Sequence, residues 1–144
     1  MKFEEIQKLW SGDCEIDETE LSQESVKIPQ LHNKYLIIFH DERLRLRTMR
    51  FDHSKLLKVK REYFSGRMDA TELEAYDWEP FQYKLLKADV QEYIDADDDI
   101  IEGKKKISLQ EEKVDYLEAI VKGLSNRGYL IKNAIDWKRF TEGH

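Results

Sequence analysis

Apolar residues along this chain recur mostly at helical spacing. Phe3, Ile6 and Trp10 fall on one side of a short amphipathic helix, which Ser11-Gly12-Asp13 would end. A second helix can start after Asp17 or Thr19 and run toward Pro29. Proline is tolerated in the first turn of the helix that follows, not in a helix interior. Beyond it, Leu31, Tyr35, Ile38, Met49, Leu56 and Tyr63 continue a helical stripe, with Leu57 and Phe64 beside it. A continuous helix from Gln30 to Phe64 would be about 50 Å long, and such a helix needs a partner helix or a second subunit. A hairpin competes for residues 35–47, because Arg43-Leu44-Arg45-Leu46-Arg47 alternates with period two. Its turn, His40-Asp41-Glu42, lacks the glycine or asparagine that tight hairpins favour, so helix is the preferred reading.

Gly66 is a helix stop. Residues 67–83, acidic and aromatic with Pro80 among them, read as a connector with at most one helical turn. A last long helix can begin at Asp89, whose carboxylate can cap free amides. Tyr93, Ile100, Ile107, Val114 and Val121 recur every seventh position, with Leu117, Leu124 and Ile131 as a companion row. That heptad seam drives helices to pair along their length, and it nominates Ile107, Val114, Leu117, Val121, Leu124 and Ile131 as subunit contacts. Gly103 and the Ser108/Glu111 capping-box pattern argue for a break between 103 and 108; the unbroken helix is preferred. After Ser125-Asn126-Arg127-Gly128, residues 129–140 are again helical in pattern. The expected fold is all-α, mainly long helices with at most one short extended segment. Its regions are 1–66 (N-terminal helices), 67–88 (connector) and 89–144 (C-terminal helices that assemble subunits).

Composition narrows the function. Of 144 residues, 38% are charged, well above the usual quarter, which favours exposed helices over a thick core. One cysteine, Cys14, leaves no intramolecular disulfide and suits a reducing compartment. The longest apolar run, Tyr35 to Phe39, is too short to span a membrane, and "MKFEEIQKLW" lacks the features of a signal peptide. An intracellular soluble protein is expected. The net charge is −6, yet Arg43 to Arg67 holds nine cations against two anions, leaving −13 for the remainder. Charge segregated in this way marks an interaction face.

The window contains "LLKVKREYFSG", residues 56–66, where Lys58, Lys60 and Arg61 precede Tyr63 and Phe64. Single-stranded nucleic acid asks for cations that track phosphates and flat rings on which bases stack. The candidate DNA-binding set is Lys58, Lys60, Arg61, Tyr63 and Phe64, with Arg50, Lys55 and Arg67 extending the cationic face. Lys60 points away from the Lys58/Arg61 line of a helix. Tyr63 and Phe64 also lie on or beside the apolar stripe, so core packing is their bland alternative. Asp95, Asp97, Asp98 and Asp99 raise a Mg²⁺-nuclease reading, but no histidine or lysine partner is expected near them, and a solvated acidic face is preferred. His32, His40, His53 and His144 show no metal-site spacing, and Cys14 has no obvious base. Neither catalysis nor a cofactor is expected.

Three blocks, "LLKVKREYFSGR", "EPFQYKLLKADVQEYIDADDDI" and "SNRGYLIKNAIDWKRFTEG", resemble the UvsY family, the recombination mediators of T-even-type phages. The likeness runs over essentially the whole chain. The family's DNA-binding pattern, Leu-Lys-Ala-Arg followed two residues later by Tyr-Tyr, reads here Leu57-Lys58-Val59-Lys60 and then Tyr63-Phe64. Lys60 thus stands for an arginine and loses its planar fork, while Phe64 keeps the ring without the hydroxyl. The resemblance implies a non-enzymatic protein that binds single-stranded DNA as a ring-like homo-oligomer, hexameric or heptameric. It implies one that weakens the hold of the phage single-strand-binding protein and helps load a RecA-like recombinase. It also implies a C-terminal oligomerisation region and a place of action in the cytoplasm of the infected bacterial host. A helical adaptor that binds only proteins is the alternative.

Overall fold

The computed structural model describes residues 1–143, and His144 lies outside the described residues. The fold is all-α, with no strand among the described residues. Five helices follow in order: α1 (Phe3–Asp13), α2 (Leu21–Phe64), α3 (Ala70–Tyr76), α4 (Lys87–Asp95) and α5 (Asp98–Glu142). Residues 35–47 are helical. Tyr35, Phe39, Glu42 and Leu46 are buried at spacings of four, three and four, the rhythm of one helix face. Period-two alternation is carried only by residues 43–47, where Leu46 is buried and Leu44 faces out.

Three expected boundaries move. Pro29 sits inside α2 rather than in its first turn, so the helix begins at Leu21; burial of Leu21, Glu24 and Tyr35 on either side outweighs the missing amide. The stretch expected as one unbroken helix from Asp89 breaks at Ala96-Asp97, and the competing break at 103–108 does not occur. There the Asp97 carboxylate accepts from the amides of Asp99 and Ile100 at 3.0 and 3.1 Å, capping α5. Gly103 is a contact instead of a breaker: a Cβ there would lie 2.6 Å from His53 Nδ1. Likewise no break occurs at 125–128, where Arg127 is buried mid-helix.

The chain divides into two compact units, Met1–Arg45 with Gln110–His144, and Leu46–Leu109. This grouping cuts across the chain-order regions 1–66, 67–88 and 89–144, because α2 and α5 each contribute to both units. In the first unit, the buried apolar residues include Ile6, Tyr35, Phe39, Val114, Leu117 and Leu124. Arg127 ties the elements together, donating to the carbonyls of Asp13 and Glu15 at 2.9 Å each and pairing with Glu24 at 3.4 Å. Gln110 donates to the Glu42 carbonyl and carboxylate at 2.9 and 2.8 Å.

The expected subunit seam is therefore largely spent inside one chain. Val114, Leu117, Leu124 and Ile131 are buried, and Ile107 and Val121 are half-buried. A heptad row pairs with any complementary apolar face, and within the first unit this chain supplies its own. Val114, Leu117, Leu124 and Ile131 are core residues of the subunit, whereas Ile107 and Val121 keep part of their surface open. Large apolar side chains that do face solvent on α5 are Tyr129, Leu130, Trp137 and Phe140.

Candidate nucleic-acid interface

The candidate site lies in the second unit, on the last turns of α2 and the segment after it. Gly66 adopts φ 72°, which lets the Gly66 amide reach the Tyr63 carbonyl (3.1 Å) and the Arg67 amide reach that of Glu62 (3.0 Å). This left-handed stop ends the helix, and the connector aromatics pack on the rings just before it. Phe64 is 8% exposed and belongs to the core cluster with Val90, Ile94 and Ile100. Its ring meets Phe81 edge-on at 5.1 Å. Tyr63 is half-buried, with Phe64 and Trp78 each 5.2 Å away, and its hydroxyl donates to the Glu79 carbonyl at 2.7 Å. Phe64 thus offers no free face for a base, and Tyr63 is packed among Phe64, Trp78 and Phe81.

Lys60 is also interior, at 5% exposed. Its Nζ lies 3.1 Å from Asp97 and 2.9 Å from Asp99, and 4.2 Å from the centre of the Trp78 ring. Burial alone would depress the pKa of this lysine. The hydrogen bonds and charges of Asp99 and Asp97 outweigh it, so the pKa is raised and the ammonium stays charged. The adjoining cavity, about 580 Å³, has five carboxylates in its lining: Asp77, Glu79, Asp97, Asp98 and Asp99. A phosphate would be repelled there. Lys60 and Phe64 are therefore interior groups with structural work, and half-buried Tyr63 is tied to the same cluster. The same pairing gives the acidic run its work: Asp97 caps a helix and, with Asp99, balances a buried cation. Among the described residues no three His, Cys, Asp or Glu side chains gather as a metal site requires.

Geometry separates Lys58 from Lys60. At 3.6 residues per turn, two positions put them roughly 160° apart around the helix, so one faces solvent while the other faces Trp78. Arg47, Arg50, Lys55, Lys58, Arg61 and Arg67 are all exposed. Arg47, Arg50, Lys58 and Arg61 share about 80° of helix arc, and Lys55 lies about 60° beyond its edge. Arg61 donates to the Gln91 side chain at 3.0 Å, which steadies it without neutralising it. The structure thus brings five cations of the expected set (Arg50, Lys55, Lys58, Arg61, Arg67) to the surface and turns one inward. Arg47 belongs with the exposed group. It was legible only as part of the charged window.

Sequence reasoning also passed over Phe51. It is 69% exposed, one turn from Arg47 and from Lys55.

Comparison with known proteins accords with this geometry. The family model described as "Recombination, repair and ssDNA binding protein UvsY" matches residues 9–144. The recombination protein uvsY of Enterobacteria phage T4 is 23% identical over 143 residues, spanning 99% of each chain. Two crystal structures of the bacteriophage T4 recombination mediator protein UvsY are similar in fold. One has a TM-score of 0.82 at 22% identity, covering 99% of this chain and 98% of that one. The other has 0.83 at 22% identity, covering 97% and 99%.

Proposed function

The chain belongs to the UvsY family of recombination, repair and ssDNA-binding proteins, and from that premise we infer that it is a recombination mediator that binds single-stranded DNA. The observation that carries the site is the exposed cationic face of α2, formed by Arg47, Arg50, Lys55, Lys58 and Arg61. These cations neutralise phosphates, while the negative charge elsewhere keeps the strand from lying on other surfaces. The role is one of binding, not catalysis. Its partners are single-stranded DNA, a RecA-like recombinase that it helps to load, and the single-strand-binding protein whose hold it weakens. It acts in the cytoplasm of the infected bacterial host.

A few cations per subunit hold a strand weakly. A ring-like homo-oligomer, hexameric or heptameric, repeats the face, and each contact after the first is effectively intramolecular. The exposed α5 residues Tyr129, Leu130, Trp137 and Phe140 support such an assembly, since apolar groups in one stretch of helix favour a protein partner.

The test is titration of fluorescent oligothymidylate and of a duplex of equal length into wild type and a Lys58→Ala/Arg61→Ala variant at low salt. The single strand should bind tighter than the duplex, and the variant should bind it at least about tenfold more weakly. Equal affinity of variant and wild type would favour the adaptor that binds only proteins.

A further inference from the structure

Phe51 stands exposed on a helix that buries its other large aromatic rings, Tyr35, Phe39 and Phe64 fully and Tyr63 partly. Its surface neighbours on α2 are fixed by helix geometry. Three and four residues away lie Thr48, Ser54, Arg47 and Lys55, and seven away lie Leu44 and Lys58. Three of these six are cations and none is a carboxylate. Asp52, next in sequence, is turned about 100° from it. Among the described residues no ring or cation–π contact engages Phe51, which is 69% exposed.

A second copy of this face fits the ring poorly. A second copy docked on it face to face would bring Arg47, Lys55 and Lys58 of two chains together, and like charges at contact oppose pairing. Of the other exposed rings of this unit, Tyr76, Tyr83 and Tyr93, Tyr76 adjoins Asp77, Tyr93 lines the cavity with five carboxylates, and Tyr83 has Glu79 four residues before it. Phe51 alone in the unit combines an open ring face with cations one turn to either side.

We propose that Phe51 is the base-stacking residue of the single-strand site, set between the phosphate-binding cations Arg47, Lys55 and Lys58. The proposal rests on the reading of the chain as a single-stranded DNA-binding protein and deepens it. It gives Phe51 the stacking role for which Phe64 is buried and Tyr63 is already engaged by Phe64, Trp78 and Phe81. A ring supplies attraction that salt does not screen, and it does so for any base, because every base has a π-face.

The experiment compares wild type, Phe51→Ala, Phe51→Leu and Phe51→Trp in titrations with oligothymidylate across salt, with circular dichroism and sedimentation on each. Phe51→Ala and Phe51→Leu should lose about 5- to 100-fold in affinity, the range of one stacking contact. Their log–log salt slopes, helix content and subunit number should match wild type. Phe51→Trp should bind as wild type, and the new indole's emission should be quenched by the oligonucleotide. Wild-type affinity in Phe51→Ala overturns the proposal. So does full affinity in Phe51→Leu, which would mean generic apolar contact, or a changed subunit number, which would make the ring part of an interface with a second copy. A wild-type chain that ignores oligothymidylate while the cation variants ignore it equally would defeat the DNA-binding reading itself. Binding by wild type with no effect at Phe51 would defeat the stacking role alone.

Discussion

At the scale of residues, burial decides what a charged group can do. Lys58 and Lys60 are two positions apart, yet one is a surface cation and the other a buried partner of Asp97 and Asp99. The motif told which residues belonged together, but the azimuth told only that they diverge, and the identity of the inner one depended on where α5 begins. Phe51 could have been found by asking which rings have cations at i±4, a question that a search for contiguous motifs does not pose. The paired acids give a testable pH response. The Asp13 carboxylate accepts from Lys34 at 2.7 Å and from the Tyr35 hydroxyl at 2.8 Å. Burial works to raise its pKa, and these bonds overcome it, leaving the group below the ordinary carboxylate value. Glu42 is lowered in the same way, against burial, by Gln110, the Met1 amino group and Lys113. A carboxyl depressed in the folded state stabilises the fold above its unfolded pKa, about 4, and that stabilisation fades as pH falls through the folded value. Urea midpoints should therefore drop between about pH 5 and pH 2, and Asp13→Asn should start less stable and drop less. Equal drops in the two proteins would remove Asp13 from the acid response.

At the scale of elements, the heptad row of α5 was legible and its destination was not. Periodicity says that a face must be covered; it does not say by which chain. Leu117 and Leu124 are fully buried within the first unit, so the row serves folding. Leu117→Asp should cost at least the ~2–5 kcal/mol of a buried Leu→Ala change and lower the melting temperature sharply. Trp137→Glu, at a site 65% exposed, should leave the melt of the isolated subunit nearly unchanged and reduce subunit number in sedimentation. A folded Leu117→Asp protein with lowered subunit number would return the row to the interface. Helix type was readable in the long elements from the 3.6-residue rhythm, whereas α3 (Ala70–Tyr76) fell inside the expected connector. The boundaries were less so, because Pro29 and Gly103 are local breakers overruled by packing, and the true break is made by Asp97, whose cap is local but whose ion pair with Lys60 is a tertiary fact.

At the scale of the whole molecule, an acidic chain that binds an acidic polymer needs its positive charge on one face. The window Arg43–Arg67 carries +7 and the remainder −13. The sum was legible from composition alone, while the split of that window into exposed cations and one buried lysine was not. The charge that matters for affinity is the exposed part, because a buried, paired ammonium releases no counterion when a phosphate arrives. Linkage of identical subunits would multiply a small number of such contacts. The central claim is that the strand meets the outer face of α2 and not the Lys60 pocket. Parallel titrations of single-stranded DNA across salt with Lys58→Ala and Lys60→Ala test it most directly. Lys58→Ala should flatten the log–log slope by about 0.7 for each phosphate that it leaves without a cation, at an unchanged melting temperature, whereas Lys60→Ala should keep the wild-type slope and melt earlier. A flattened slope in Lys60→Ala beside a wild-type slope in Lys58→Ala would contradict the account.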